Sequence, residues 1–119
     1  MSQANPPEPG CIFCKIVAGQ IPAKVVYQDD EIVVFPDINP AAPVHLLMVP
    51  REHVENLMTA QARHQALLGR MHALAPRLAR EQGAADGFRI VINNGPDGGQ
   101  VVYHLHVHVL GGPRPWKRL

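Results

Sequence analysis

The sequence has little net charge: Lys and Arg number 11 against 10 Asp and Glu, for a formal charge of +1. That balance excludes an electrostatic footprint for nucleic acid or for another charge-driven partner. Long hydrophobic runs are missing too, since no stretch approaches the roughly 18 consecutive apolar residues of a membrane span. A soluble, cytoplasmic protein with no membrane partner is the expectation. The first ten residues hold three prolines and no apolar run, which excludes a secretory segment and reads as a flexible leader. Cysteine is scarce, with two residues in 119, both in Cys11-Ile12-Phe13-Cys14. In a reducing compartment such a pair serves metal or redox chemistry more often than a structural disulfide. Internal repeats, low-complexity tracts and a second domain cannot be discerned. What is present is a composition of 46% hydrophobic and 18% charged residues, which excludes disorder and suffices for one core. The expected organisation is a leader over 1–10 and a single domain over 11–119.

Cys11 to Gly19 reads as a short helix ending at glycine, and Val25 to Tyr27 and Glu31 to Phe35 as strands around the turn Asp29-Asp30. Pro36 and Pro40 interrupt the pattern, and His45 to Val49 resumes it as a third strand that Pro50 ends. Between Ala62 and Glu81 the residues Leu67, Met71, Leu74 and Leu78 form one apolar stripe, which predicts the only long helix. Pro76 lies inside it and should kink or weaken its last turn, and Gly83 is the expected stop. Phe88 to Asn93 and Val101 to Leu110 read as a fourth and fifth strand joined by the turn-rich segment 94–99. These elements predict an α+β fold, a five-stranded antiparallel meander with the long helix packed on one face and the other face free for a site.

Seven histidines are many for so short a chain, and three alternate in Tyr103-His104-Leu105-His106-Val107-His108-Val109-Leu110. On a strand, alternation sends Leu105, Val107 and Val109 to the core and His104, His106 and His108 to the opposite face, about 6.6 Å apart. One ion could bridge two of them, but the outer pair stands about 13 Å apart, which leaves one imidazole for another task. Imidazole suits attack at phosphorus because it is largely neutral at pH 7 with one nitrogen free, provided a neighbour holds the proton on the other. Directly upstream, Asn93-Asn94-Gly95-Pro96-Asp97-Gly98-Gly99-Gln100 has the glycines that let backbone N–H groups converge on an anion.

Residues 104–110 resemble, at every position, the His-φ-His-φ-His-φ-φ signature of the histidine triad family, with φ apolar. Ile21-Pro22-Ala23-Lys24, Phe35-Pro36-Asp37-Ile38, Ala42-Pro43-Val44-His45, Val49-Pro50-Arg51-Glu52-His53 and Asp97-Gly98-Gly99-Gln100 are similar to the Hint branch, the nucleoside phosphoramidases. The resemblance implies that His106 is the nucleophile, His108 the phosphate contact beside it, and His45 a supporting histidine near the triad. It further implies that Asn93, Gly99 and Gln100 form the phosphate-side loop and that Asp37 accepts the ribose hydroxyls. Phe13, Ile21, Phe35 and Ile38 would form an apolar slot for a purine base. Val101 departs from the pattern, because the branch generally has serine there and valine keeps only the backbone N–H. By resemblance to members with Cys-x-x-Cys, His53 and His104 would complete a structural zinc site with Cys11 and Cys14; buried or redox-active thiols are the alternative. The implied protein is a homodimer that binds a purine nucleotide, needs no cofactor for catalysis, and hydrolyses nucleoside 5′-monophosphate derivatives through a nucleotidyl-histidine. A dinucleoside polyphosphate hydrolase, a nucleotide-binding interaction module with weak catalysis, and a zinc-dependent hydrolase are the rivals.

Overall fold

The computed structural model describes residues 4–117. Residues 1–3 of the expected leader and 118–119 of the expected domain lie outside the described residues. The secondary structure runs α1 (Ile12–Val17), β1 (Tyr27–Gln28), β2 (Ile32–Pro36), β3 (Val44–Pro50), α2 (Gln65–Glu81), β4 (Phe88–Val91) and β5 (Val107–Gly111). This is the expected α+β class: the described residues form five antiparallel strands in one sheet, one long helix and a short helix near the N-terminus. β1 to β3 follow one another as a meander, but β4 goes to the outer edge and β5 returns between β3 and β4, giving the order β1-β2-β3-β5-β4.

Local chemistry explains the elements. Cys11 caps α1, its sulfur accepting from Cys14 N–H at 3.3 Å, and Gly19 at φ +77° supplies the left-handed exit that a side chain would resist. The turn between β1 and β2 is tied by Asp29, whose Oδ1 accepts from the N–H groups of Glu31 and Ile32 at 2.8 Å each. A turn of 3-10 helix over Ala62–His64 leads into α2, which continues through Pro76 to Glu81. Among the described residues no helix is long and apolar enough to cross a membrane.

Leu67, Met71, Ala75 and Leu78 of α2 bury against Ile32, Val34, Leu46, Met48, Val107 and Val109 on one sheet face. The opposite face was expected to be free, yet α1 covers part of it: Phe13 packs there with Val33, Phe35, Leu47 and Val49. β5 is also shorter than the expected Val101 to Leu110. Its ladder with β3 stops at the pair Met48↔Val107 because Pro50, two residues on, has no N–H to continue it. Leu105 N–H donates instead to the Val54 carbonyl at 2.6 Å, and 101–106 form an irregular approach to the strand. β4 also stops short of the expected Asn93, its last partner pair being Val91↔His108 next to the start of β5 at Val107.

Candidate active site

The three alternating histidines do not form a straight strand row, because only His108 lies within β5. Alternation of faces nevertheless persists: Leu105, Val107 and Val109 enter the core beneath α2. His104 is fully buried and His106 is 8% exposed, since α1 and Phe13 close over this face.

His104 is turned toward the cysteines. Its Nδ1 stands 3.3 Å from Cys11 Sγ and 3.5 Å from Cys14 Sγ. Its Nε2–H donates to the Pro50 carbonyl at 2.7 Å. A carbonyl can only accept, so the proton sits on Nε2 and the Nδ1 lone pair faces the sulfurs. Burial holds this imidazole down at about 4, against the opposing pull of the Pro50 bond.

The same reasoning assigns His106. Its Nδ1–H donates to the carbonyl of His104 at 2.7 Å, which leaves the Nε2 lone pair free. Phe13 meets the His106 ring edge-on at 5.1 Å and fixes its plane. The His108 ring follows at 5.0 Å.

A hydrogen-bonded chain sets the tautomer of His108. Ala41 N–H donates to His45 Nδ1 at 2.9 Å, so the His45 proton is on Nε2 and is given to His108 Nδ1, also at 2.9 Å. His108 consequently carries its own proton on Nε2. Burial pushes His108 down to about 4, aided by His106 and His45, and burial also lowers His45 against the counter-pull of Asp37. Both are therefore neutral at pH 7, as the donor and acceptor chain requires. Asp37 Oδ2 lies 3.5 Å from His45 Nε2, and Asp37 Oδ1 closes an Asx turn by accepting from Asn39 N–H at 2.8 Å.

The glycine-rich loop is braced from within. Gln100 Oε1 accepts from Gly95 N–H at 2.9 Å and from Asn56 Nδ2 at 3.0 Å. Its Nε2 donates to the carbonyls of Glu55 and Val102 at 2.7 and 3.0 Å. Every polar atom of this side chain is thus engaged inside the protein, and Gln100 shapes the loop instead of offering a free donor. Gly99 sits at φ +77°, and the Val101 side chain stands 87% exposed. Asn93 is half-buried on the strand side of the loop.

Phe13 and Phe35 stack edge-on at 5.6 Å in the apolar cluster of this sheet face. Ile21 is half-buried outside that cluster, and Ile38 projects into solvent at 92% exposure. The four expected slot residues are therefore split between core and surface.

Cys11, Cys14, His53 and His104 do converge, with one donor atom from each all lying within 4.8 Å of one another. Cys14 Sγ is 3.3 Å from His53 Nδ1. A tetrahedral zinc with two thiolates and two imidazoles has S···N edges of about 3.5 Å, so the spacing and donor set fit that ion. Burial, with Cys11 beside it, pushes the Cys14 thiol up against the lowering pull of the Glu8 backbone. Asn5 spans the outside of this cluster, donating from its backbone to Glu52 and from its side chain to the His53 carbonyl, both at 2.9 Å.

Several groups that build the site have no motif in the sequence. The carbonyls of Pro50 and His104 and the N–H of Ala41 are backbone groups without side-chain signal. Asn56, 3% exposed, braces a loop 37 or more residues away and could be found only by its burial as a polar residue.

Fold and site together define a class: a small α+β protein whose sheet face holds an imidazole with a free lone pair beside a histidine hydrogen-bond donor and a glycine-rich loop. The family model described as "Scavenger mRNA decapping enzyme C-term binding" matches residues 10–117. The chain is 53% identical to Protein HitA of Neisseria gonorrhoeae, over 87% of this chain and 96% of that one. It is 47% identical to Adenylylsulfatase HINT1 of Arabidopsis thaliana (92% and 76% covered) and 48% identical to the 14 kDa zinc-binding protein of Brassica juncea (85% and 91%). A solved HIT family hydrolase from Legionella pneumophila superposes with a TM-score of 0.84 at 42% identity, covering 88% of this chain and 95% of that one. The chain belongs to the histidine triad family, in its Hint branch.

Proposed function

We propose that the chain is a nucleotide hydrolase that cleaves nucleoside 5′-monophosphate derivatives, phosphoramidates such as amines of adenosine monophosphate among them, through a covalent nucleotidyl-His106 intermediate. The observation that carries this reading is the 2.7 Å bond from His106 Nδ1–H to the His104 carbonyl. It frees the Nε2 lone pair and keeps an acceptor against the ring as attack makes that ring cationic. Nε2 bonds to the α-phosphorus and the bond to the leaving group breaks, that group departing with the electron pair and, if an amine, taking a proton. Water then attacks phosphorus, the N–P bond breaks, and nucleoside monophosphate leaves with His106 restored. The names of two similar proteins, an adenylylsulfatase and a hydrolase, support hydrolysis.

His108 Nε2–H is the donor to the phosphate in this reading, with His45 as its positioning residue. Asn93, Gly99 and the Val101 N–H line the phosphate, and Gln100 holds that loop in shape. Asp37 receives the ribose hydroxyls, and Phe13, Phe35, Ile21 and Ile38 border a purine base, the exposed Ile38 being a surface that a base could cover. Zinc held by Cys11, Cys14, His53 and His104 supplies a closed structural cross-link and no open coordination position for chemistry. Residues 11–119 act as one nucleotide-binding domain after the leader. A cytoplasmic homodimer completes the proposal, favoured by the β4 edge of the sheet with Phe88 37% exposed.

The test is His106→Ala. Turnover of an adenosine phosphoramidate is expected to fall by several orders of magnitude, as when one member of a catalytic unit is lost, while calorimetry still registers adenosine monophosphate. Turnover near the parental rate would overturn the covalent reading in favour of a metal-activated water. A second reading, an interaction module with weak catalysis, is favoured by Val101, which offers the phosphate no hydroxyl; negligible turnover by the parent with retained nucleotide affinity would select it.

A further inference from the structure

The cysteine pair does more in this fold than close a metal site. His104 faces the sulfurs with its ring and the nucleophile with its backbone: Nδ1 is 3.3 Å from Cys11 Sγ, and its carbonyl is the acceptor that holds His106 Nδ1–H. A second route leads the same way. Cys11 is the N-cap of α1, and α1 carries Phe13, whose ring touches both His104 at 5.9 Å and His106 at 5.1 Å. Both routes start at sulfur and end on the one imidazole whose orientation the chemistry needs.

The pair is also reachable. Cys11 is half-buried and lines a cavity of about 540 Å³ together with His53, Val101 and Tyr103. That cavity lies between the Cys/His cluster and the segment that leads from the glycine-rich loop to His104. A small oxidant entering it meets Cys11 first.

We infer that the redox state of Cys11 and Cys14 controls the nucleotide site, with the reduced, His-bound pair holding His106 in its attacking orientation and the oxidised pair releasing it. This rests on His106 being the nucleophile. With hydrogen peroxide as oxidant, the two thiolates give up two electrons and form one S–S bond. The O–O bond of the peroxide takes those electrons and two protons to become two waters. Bound zinc leaves because a disulfide offers it no thiolate. His104 Nδ1 then has neither the zinc nor a thiol donor, and the segment 103–106 loses one of its three anchors, the bonds of His104 Nε2–H to Pro50 and of Leu105 N–H to Val54 remaining. The inference does not require zinc, since in a metal-free chain a thiol S–H donates to the same Nδ1.

The experiment treats the reduced full-length protein with hydrogen peroxide and then with a thiol reductant plus zinc. Zinc release is followed with a chromophoric chelator, the His106 Nδ1–H by imidazole nitrogen NMR, and adenosine phosphoramidate hydrolysis by kcat and KM. The expected result is disulfide formation, disappearance or displacement of the His106 signal, and a kcat lower by about 10- to 100-fold, the range found when a supporting hydrogen bond is lost. KM should change little, and the reductant should restore all three. Oxidation that leaves the His106 signal and kcat at their reduced values overturns the inference. If near-ultraviolet circular dichroism reports that the oxidised chain unfolds, Cys11→Ala with Cys14 kept reduced decides: a displaced His106 signal with lower kcat supports the inference, and both at parental values overturn it. Protein that holds no zinc would refute the metal reading alone. An absent His106 adduct in the reduced protein would refute the nucleophile assignment, so each failure is separately visible.

Discussion

His45→Ala tests the tautomer chain at the link where it has one entry and one exit. His45 is 5% exposed as a residue, and its Nδ1 accepts the N–H of Ala41, a residue only 9% exposed. Alanine leaves that N–H without an acceptor in a buried place, at a cost of about 1–3 kcal/mol. For a chain of this size about 4 °C of melting temperature accompanies each kcal/mol, so a drop of about 4–12 °C is expected in a thermal scan. The second effect is on chemistry. His108 Nδ1 loses its 2.9 Å donor and the ring distributes between its two tautomers, so only part of the population presents Nε2–H to the phosphate. The expected loss in kcat is about tenfold, with KM for the phosphoramidate nearly constant, because the imidazole remains in place while its proton does not. Nitrogen NMR of His108 should change from a proton fixed on Nε2 to an exchanging mixture. A variant whose melting temperature, kcat and His108 signals all match the parent would refute the chain of donors from Ala41 to His108.

Val101→Ser should raise the kcat of phosphoramidate hydrolysis with less effect on affinity, since a hydroxyl at this exposed residue can meet the phosphate or the departing amine. An unchanged or lower kcat would mean that the leaving group never needed that contact. Stability should depend on pH through His108, whose folded value near 4 lies below the ordinary 6.5 of an unfolded histidine. Above 6.5 both states are neutral and nothing changes. As pH falls from 6.5 toward 4 the unfolded chain alone takes up the proton, so stability declines by up to a factor of ten in the unfolding equilibrium per pH unit. Chemical denaturation at pH 7 and pH 5 checks this, and equal stabilities at the two values would contradict a neutral buried His108.

The sequence exposed the fold best where period and punctuation agree. The stripe of Leu67, Met71 and Leu78 is buried in α2, and the turn at Asp29 and the glycine stop at Gly19 are where local chemistry requires them. Strand lengths were less legible, because Pro50 limits β5 from across the sheet and no pattern within Val101 to Leu110 reveals it. The site was readable as a set of side chains and unreadable as a set of backbone partners. Cys11, Cys14, His53 and His104 converge, a set that the family resemblance implied and the spacing of the residues alone did not. The acceptors that fix each imidazole proton, Pro50 O and His104 O, and the donor Ala41 N–H are visible only in three dimensions. Burial of His106 was also hidden. A residue on a sheet face opposite the long helix reads as accessible, yet Phe13 from α1 packs on it, so His106→Ala will carry some loss of packing as well as loss of chemistry.

Intact-protein mass spectrometry after millisecond exposure to an adenosine phosphoramidate tests the covalent claim most directly. The account predicts a mass increase of one adenylyl group, mapped by acid-sparing digestion to His106, that disappears as the substrate is consumed and is absent from His106→Ala. Rapid turnover with no adduct at any quench time, or an adduct on His108 instead, would contradict it.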